Sequence, residues 1–226
     1  MWSPYYILPV WIFSALFYLQ EMNLGKRIVV FIAIALFSLI ASASSPEKVV
    51  INEVLYDPHG MYIGCFVELL GKPGLNLDGY FLVGVNGNDG RQYNRIDLSG
   101  HKIPLDGFFV IAQIKDIPNA DMVDTRVDYQ NGPDNIELWY KDKKIDAVGY
   151  GNFSNAVFTG EGAPALDLSG YSIGRRPDGL DTDNNSVDFV GLTIPSPGAT
   201  NGGQGIAIVQ IGKSFTRWGF IKGLER

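Results

Sequence analysis

Short apolar runs separated by turn residues limit this chain to few folds. In residues 44–226, nine runs of about four to eight residues are rich in β-branched and aromatic side chains, and helical periodicity is nearly absent. Many short strands with no helix long enough to cover a sheet favour an all-β fold of two packed antiparallel sheets. The strands are predicted at residues 49–56, 65–70, 80–85, 93–98, 108–113, 136–140, 145–150, 171–175 and 187–190.

Turn chemistry between the runs predicts at least two hairpins. Residues 86–90 read Asn-Gly-Asn-Asp-Gly, which tolerates the positive φ of a tight reversal, and residues 141–143 form a second predicted tip. Between the two sheets we expect a core built from these side chains: Phe66, Leu69, Tyr80, Leu82, Phe109, Ile111, Ile136, Leu138, Trp139, Val148 and Ile173.

The N-terminal region has the pattern of a signal peptide over residues 22–43. Lys26 and Arg27 precede an apolar run at residues 28–41 that only Ser38 interrupts, and Ala41-Ser-Ala43 supplies the small residues of a cleavage site. A run this short favours removal over a permanent anchor, because a helix needs about 20 apolar residues to cross a bilayer. Cleavage after Ala43 is therefore predicted.

A second apolar stretch, at residues 5–19, precedes that signal peptide and has no role in export. We interpret residues 1–21 as an upstream extension and Met22 as the true start of translation. The alternative is a helical hairpin in the membrane, formed by both apolar stretches, which would tether the protein.

The charge of residues 44–226 argues against nucleic acid as a direct partner. Taking Lys26, Arg27 and Glu21 from the 18 basic and 24 acidic residues leaves 16 and 23, a net charge of about −7. Basic runs extend no further than two residues, so an anionic membrane surface is disfavoured for the same reason. Membrane association is expected only if the N-terminal segments are retained.

A search for catalytic residues finds little. His59 and His101 lie in turn-like segments without a metal-binding spacing, and Cys65, the single cysteine, is expected to be a buried apolar residue. Glu53 and Glu68 lie in strands that could be neighbours, as the two acids of a glycosidase must be. The alternative is that each points to solvent or binds a nearby backbone amide or arginine.

Oxygen-bearing side chains alternate at Asp181, Asp183, Asn185 and Asp188, which is typical of the first half of a calcium-binding loop. However, Leu192 stands where that loop would need a bidentate glutamate, and Ser186 stands where it would need glycine. The alternative is that these short polar side chains bind their own backbone and shape a turn. Calcium is the only cofactor that the sequence suggests.

A series of motifs between about residues 49 and 201 resembles the lamin tail domain family in its bacterial, secreted form. The motifs follow one another in the order of that family. They are VINEVLYDP (50–58), FVEL (66–69), LDGY (77–80), PLDGFFVIA (104–112), NGPDNIEL (131–138), IDAV (145–148), SIGRRPDGLDTDNNSVDF (172–189) and PSPG (195–198).

The resemblance implies an immunoglobulin-like antiparallel β-sandwich over residues 44–203 and a module for interaction or architecture. It also implies a possible link to hydrolases, because bacterial members are often attached to secreted or surface hydrolases, including nucleases. Residues 204–226 lie beyond the resemblance and form a C-terminal tail, interpreted as an extra strand or a sorting segment.

Together these observations predict a secreted or cell-surface protein that is not an enzyme. It would bind a protein or a cell-envelope polysaccharide through exposed aromatic side chains, for which the candidates are Tyr56, Tyr62, Tyr93 and Trp139. The alternative is an accessory domain of an extracellular hydrolase, or a weak metal-dependent hydrolase that uses residues 181–188.

The predicted processing can be checked on the native protein. We expect N-terminal peptide analysis by mass spectrometry to find a first residue at or near Ser44. A peptide from within residues 2–19 would contradict a start at Met22.

Overall fold

A computed structural model describes residues 47–58 and 64–203 of the chain. Within them lie ten strands, one helical turn, α1 (Asn185–Asp188), and a 3₁₀ turn at Asn201–Gly203. The strands are β1 (Val49–Leu55), β2 (Phe66–Gly71), β3 (Tyr80–Asn86), β4 (Gln92–Asp97), β5 (Phe108–Ala112), β6 (Met122–Val123), β7 (Asp134–Tyr140), β8 (Lys143–Tyr150), β9 (Ser172–Arg175) and β10 (Phe189–Leu192).

The strands form two sheets. Sheet 1 has the strand order β10-β9-β1-β2-β5-β6, and sheet 2 has the order β4-β3-β7-β8. Neighbouring strands are antiparallel except β5 and the two-residue β6, which pair in parallel. This arrangement confirms the predicted all-β sandwich.

The main core lies between the two sheets, where strand alternation brings apolar side chains from both layers together. Nine of the eleven side chains predicted for the interior are in it. Phe66 and Trp139 are corrections, because both lie on outer faces. Phe66 packs under residues 117–120 on sheet 1, and Trp139 packs half-buried beside Phe81 on sheet 2.

The predicted strands are confirmed, with one correction at the last. Strand β10 begins at Phe189 rather than at residue 187. The two residues before it belong to α1, because the Asn184 side chain caps that turn by accepting a hydrogen bond from the Ser186 N–H. The sequence analysis also missed β6, which is too short to show alternation.

Both predicted hairpins are present. Asn86 ends β3 and its side chain accepts the Asn88 N–H, while Gly90 takes a positive φ of 73° before β4. Lys141 follows β7 with a φ of 55° and leads into β8. These turns keep consecutive strands side by side within sheet 2.

A β-bulge in β1 alters which side chains face outward. Ile51 pairs with Leu69 and Glu53 pairs with Glu68, so Asn52 is an extra residue without a partner in β2. Before the bulge Ile51 faces the core, and after it Val54 does. Asn52 and Glu53 therefore both lie on the outer face of sheet 1.

Several predictions fall outside the described residues. These concern the signal peptide and upstream extension at residues 1–43, the side chains of His59 and Tyr62, and the C-terminal tail at 204–226. Within residues 47–58 and 64–203, no helix combines the length and the apolar character needed to cross a bilayer.

Candidate functional site

Arg175 lies completely buried at the seam between the two sheets. It belongs to β9, two residues after the core residue Ile173, so strand alternation turns it inward. Asp146 in β8 is two residues before the core residue Val148 and is inward for the same reason. The sandwich thus brings a buried cation from sheet 1 onto a buried carboxylate from sheet 2.

The guanidinium of Arg175 uses its donors on both charged and backbone oxygens. Nη2 donates to Asp146 Oδ1 at 2.7 Å, and Nη1 donates to Asp188 Oδ2 at 2.9 Å. Nε donates to the carbonyl oxygen of Ile51 at 2.9 Å, and Nη1 also reaches the carbonyl of Leu180. The second oxygen of Asp146 accepts the Ile51 N–H. The N–H and the carbonyl group of Ile51 therefore both bind β1 to the pair of Arg175 and Asp146.

Two further carboxylates surround the same guanidinium. Oxygens of Glu161 and Asp181 lie 3.8 and 3.7 Å from its nitrogens. Burial, and then the charges of Asp146 and Asp181, raise the pKa of Glu161 to about 8, while Arg175 acts in the opposite direction. One cation therefore faces more carboxylates than it can neutralise.

The four residues considered for calcium are placed differently from one another. Asp188 is buried; burial would raise its pKa, but hydrogen bonds from Thr182 and the charge of Arg175 outweigh that effect and lower it. Asn185 is also buried, whereas Asp181 is partly exposed and Asp183 is exposed with a φ of 57°. The structure brings Asp181 and Asp188 together around Arg175 and leaves Asp183 outside.

The side chain of Asn185 is occupied by backbone groups. Its Oδ1 accepts the N–H groups of Gly149 and Glu161, each at 2.9 Å, and its Nδ2 donates to the carbonyl oxygen of Ala147. Asn185 therefore joins α1 to the outer edge of β8.

Within residues 47–58 and 64–203, one group of acidic side chains has the spacing to share a cation. The carboxylates of Asp146, Glu161 and Asp181 each offer an oxygen, and these oxygens lie within 4.8 Å of one another. Arg175 already contacts all three of these residues. Of the four sequence candidates, only Asp181 belongs to this group.

Glu53 and Glu68 are neighbours, paired directly across β1 and β2, and both are buried on the outer face of sheet 1. Glu53 accepts hydrogen bonds from the Ser172 hydroxyl and from the Ser196 N–H, and its Oε2 lies 2.9 Å from Ser196 Oγ. Glu68 accepts from the Asn52 side chain at 2.8 Å and from the Gly198 N–H at 2.7 Å. The two carboxyl groups thus hold the segment after β10 against the sheet.

The aromatic residues proposed as exposed contacts divide into two groups. The Tyr56 hydroxyl is internal: it donates to Asp167 and accepts the Leu168 N–H, while the ring stacks on Tyr150. Tyr93 donates its hydroxyl to the buried Asp134. Both are therefore corrections to the predicted set. Trp139 alone, among the three candidates in the described residues, lies on an outer face.

The two remaining candidates for chemistry, Cys65 and His101, have structural contacts. Cys65 is buried, as predicted; its thiol donates to the carbonyl oxygen of Tyr56, and burial raises the pKa of the thiol to about 12. The ring of His101 packs against Phe109 with centroids 5.4 Å apart.

Comparison with known proteins identifies no relative of this chain. No family model matches the chain, and no curated protein or solved structure is significantly similar to it. The resemblance to the lamin tail family therefore stays a prediction based on the quoted motifs.

Sequence reasoning missed Arg175, Asp146 and Glu161. For the first two a signal was present, since each lies two residues from an apolar residue in a predicted strand and must share its face. Glu161 lies in an irregular segment, and its approach to Arg175 depends on how residues 151–164 fold back.

We expect the substitution Arg175→Met to destabilise the protein by roughly 3–5 kcal/mol, because it leaves Asp146 and Asp188 buried without their cation. Urea denaturation would measure the change. Arg126→Met is the matched control: Arg126 pairs with Asp124 at an exposed position, so its loss should cost at most about 1 kcal/mol.

If Arg175→Met does not fold, the double variant Arg175→Met with Asp146→Asn should recover folded protein, since it removes one of the uncompensated charges. Equal stability of Arg175→Met and the natural chain would contradict the assigned role.

Proposed function

We propose that this chain is a secreted or cell-surface module that binds a protein or a cell-envelope polysaccharide and carries out no reaction of its own. The binding surface is the outer face of sheet 2 around Trp139. The observation that carries this proposal is a stacked row of aromatic and cationic groups on that face, in which Trp139 is partly exposed and Arg95 is exposed.

The row consists of Trp139, Phe81 and Arg95 on β7, β3 and β4. The rings of Phe81 and Trp139 are nearly parallel, with an angle of 7° and a centroid distance of 6.2 Å. The guanidinium of Arg95 stacks on the Phe81 ring at 3.1 Å, and Arg95 itself is exposed. Phe81 itself is buried in this stack, so Trp139 and Arg95 are the members of the row that a partner can reach. A tryptophan beside an arginine is a combination enriched at interaction surfaces.

Polar groups around the row are held in fixed positions. The Trp139 indole N–H donates to Glu137 at 2.8 Å, and Lys144 lies 3.5 Å from the same carboxylate. A fixed indole loses little conformational entropy on binding, which favours its use as an anchor. An aromatic centre with charged groups beside it is also typical of interaction surfaces.

The internal carboxyl groups favour binding over hydrolysis. Glu53 and Glu68 are both fully buried, and donors from within the domain occupy their oxygens. A substrate would have to displace residues 195–198 to reach them. The pair therefore supports a structural use of these acids, as the alternative from sequence predicted.

Two predictions from the sequence, export and the resemblance to the lamin tail family, support the same proposal. A module that leaves the cell through the predicted signal peptide meets proteins and polysaccharides of the envelope first. The resemblance implies an interaction or architectural module, which agrees with a binding face on a rigid sandwich.

We expect Trp139→Ala to reduce binding at least about tenfold, because truncation of an aromatic anchor removes a large share of interface energy. The immobilised chain is incubated with a cell-envelope extract, and the recovered component is titrated against each variant. Leu105→Ala is the control, since Leu105 is exposed on the loop between β4 and β5. Equal binding by Trp139→Ala, with an unchanged circular dichroism spectrum, would contradict the proposed face.

A second proposal is a metal-dependent accessory role beside an extracellular hydrolase. The close approach of Asp146, Glu161 and Asp181 is the observation that favours it. It predicts heat when calcium is titrated into the full chain, and loss of that heat in Asp181→Asn. Absence of heat at millimolar calcium would remove this proposal and leave the first untouched.

A further inference from the structure

The buried pair Glu53 and Glu68 holds a segment of the chain that is far away in sequence. Residues 195–203, here called the strap, follow β10 and cross the outer face of sheet 1. Ser196 and Gly198 donate their backbone N–H groups to Glu53 and Glu68 at 3.0 and 2.7 Å. Asn201 then donates its side-chain amide to carbonyl oxygens of Asn52 and Arg175.

One hydroxyl group in this network lies between two acceptors. Ser196 Oγ lies 2.9 Å from Glu53 Oε2 and 2.9 Å from Asn201 Oδ1. The orientation of the Asn201 amide follows from its Nδ2, which faces two carbonyl oxygens, so Oδ1 accepts. A serine hydroxyl has a single proton and can satisfy only one of its two neighbours as a donor.

A proton on Glu53 completes this chain of hydrogen bonds. Protonated Glu53 donates from Oε2 to Ser196 Oγ, and the serine hydroxyl donates to Asn201 Oδ1. With Glu53 ionised, the serine proton can lie in only one of the two 2.9 Å oxygen–oxygen contacts, so the other contact brings two acceptors together. That is costly in a buried site, even though the Ser196 N–H also lies 3.2 Å from Glu53 Oε2.

The charged groups around the pair make ionisation of both acids more costly. Glu68 on β2 faces Glu53 on β1, and Asp178, from the loop after β9, adds a third acid beside Asn52. The donors to Glu53 and Glu68 from β1, β9 and the strap are amide, hydroxyl and backbone groups, all of them uncharged. The β5 residue opposite Glu68 is Val110.

We infer that Glu53 and Glu68 share one proton at neutral pH, and that its loss at alkaline pH releases the strap from sheet 1. The pair is then a pH-sensitive clasp. Closed, it covers Glu53 and Glu68 on the outer face of sheet 1; open, it frees residues 195–198 from the two glutamates.

The direction of the pKa shifts supports this assignment. Burial raises the pKa of Glu53, and it raises the pKa of Glu68 to about 8, although hydrogen bonds from Ser172 and Asn52 act against it. The folded state therefore holds a proton that the unfolded chain loses near pH 4.5. This contribution to stability is complete below that pH, declines above it and is lost as the pH rises through about 8.

Nuclear magnetic resonance of the full chain, labelled with ¹³C at the glutamate carboxyl groups, tests the shared proton. We expect one of the two carboxyl signals to keep the shift of a protonated acid at pH 7 and to change only in the alkaline range. Carboxylate shifts for both residues at pH 6 would overturn the inference.

Hydrogen exchange at Ser196 and Gly198, corrected for the intrinsic effect of pH, tests the release. Once the pH exceeds the upper pKa of the pair, we expect protection of both amides to fall about tenfold per pH unit. In Glu53→Gln the amide group donates to Ser196 as the protonated acid does, so protection should persist at pH 9. Loss of protection in Glu53→Gln equal to that in the natural chain would also overturn the inference.

Glu47→Gln is the matched control. Glu47 is exposed and pairs with Lys72, so its substitution should leave the alkaline loss of protection unchanged. The test does not involve the Trp139 face, and its outcome is independent of the proposed binding function.

Discussion

The ion pair between Arg175 and Asp146 is the contact on which the sandwich depends. It joins an inward side chain of sheet 1 to an inward side chain of sheet 2, and both partners also bind the peptide groups of Ile51. A buried pair stabilises a fold only when its remaining donors and acceptors are satisfied. Here Asp188 and the carbonyl oxygen of Leu180 accept hydrogen bonds from Nη1 of Arg175. These two bonds also fix the position of the loop after β9.

Strand β1 connects this centre with the second polar network. On its inner side Ile51 binds Arg175 and Asp146, and one residue later the bulge turns Asn52 and Glu53 to the outer side. Charged side chains therefore lie on both sides of β1, with Arg175 and Asp146 on the inner side and Glu53 on the outer side. Arg175 and Asp146 on the inner side join the two sheets. Glu53 and Glu68 on the outer side hold the strap, and in our inference this contact depends on the proton that the two glutamates share.

Alternation and turn chemistry were sufficient to predict nine of the ten strands in the described residues, because both depend on residues close in sequence. The same alternation would have placed Arg175 and Asp146 inward had it been applied to charged residues. The outward direction of Glu53 could not be predicted, since the bulge at Asn52 has no marker in the sequence and reverses the expected face. Its partner Ser196 is 143 residues away, so that contact depends on the completed fold.

The contacts of Asn185 protect the outer edge of β8. Free strand edges expose unpaired N–H and C=O groups that can pair with another chain, and such pairing leads to aggregation. The Asn185 amide imitates a peptide group: it takes the Gly149 N–H and supplies a donor to the Ala147 carbonyl, where a further strand would otherwise bind. Together with the backbone of Ala165, which bonds to Gly149 and Gly151, this side chain occupies the peptide groups at this end of the β8 edge.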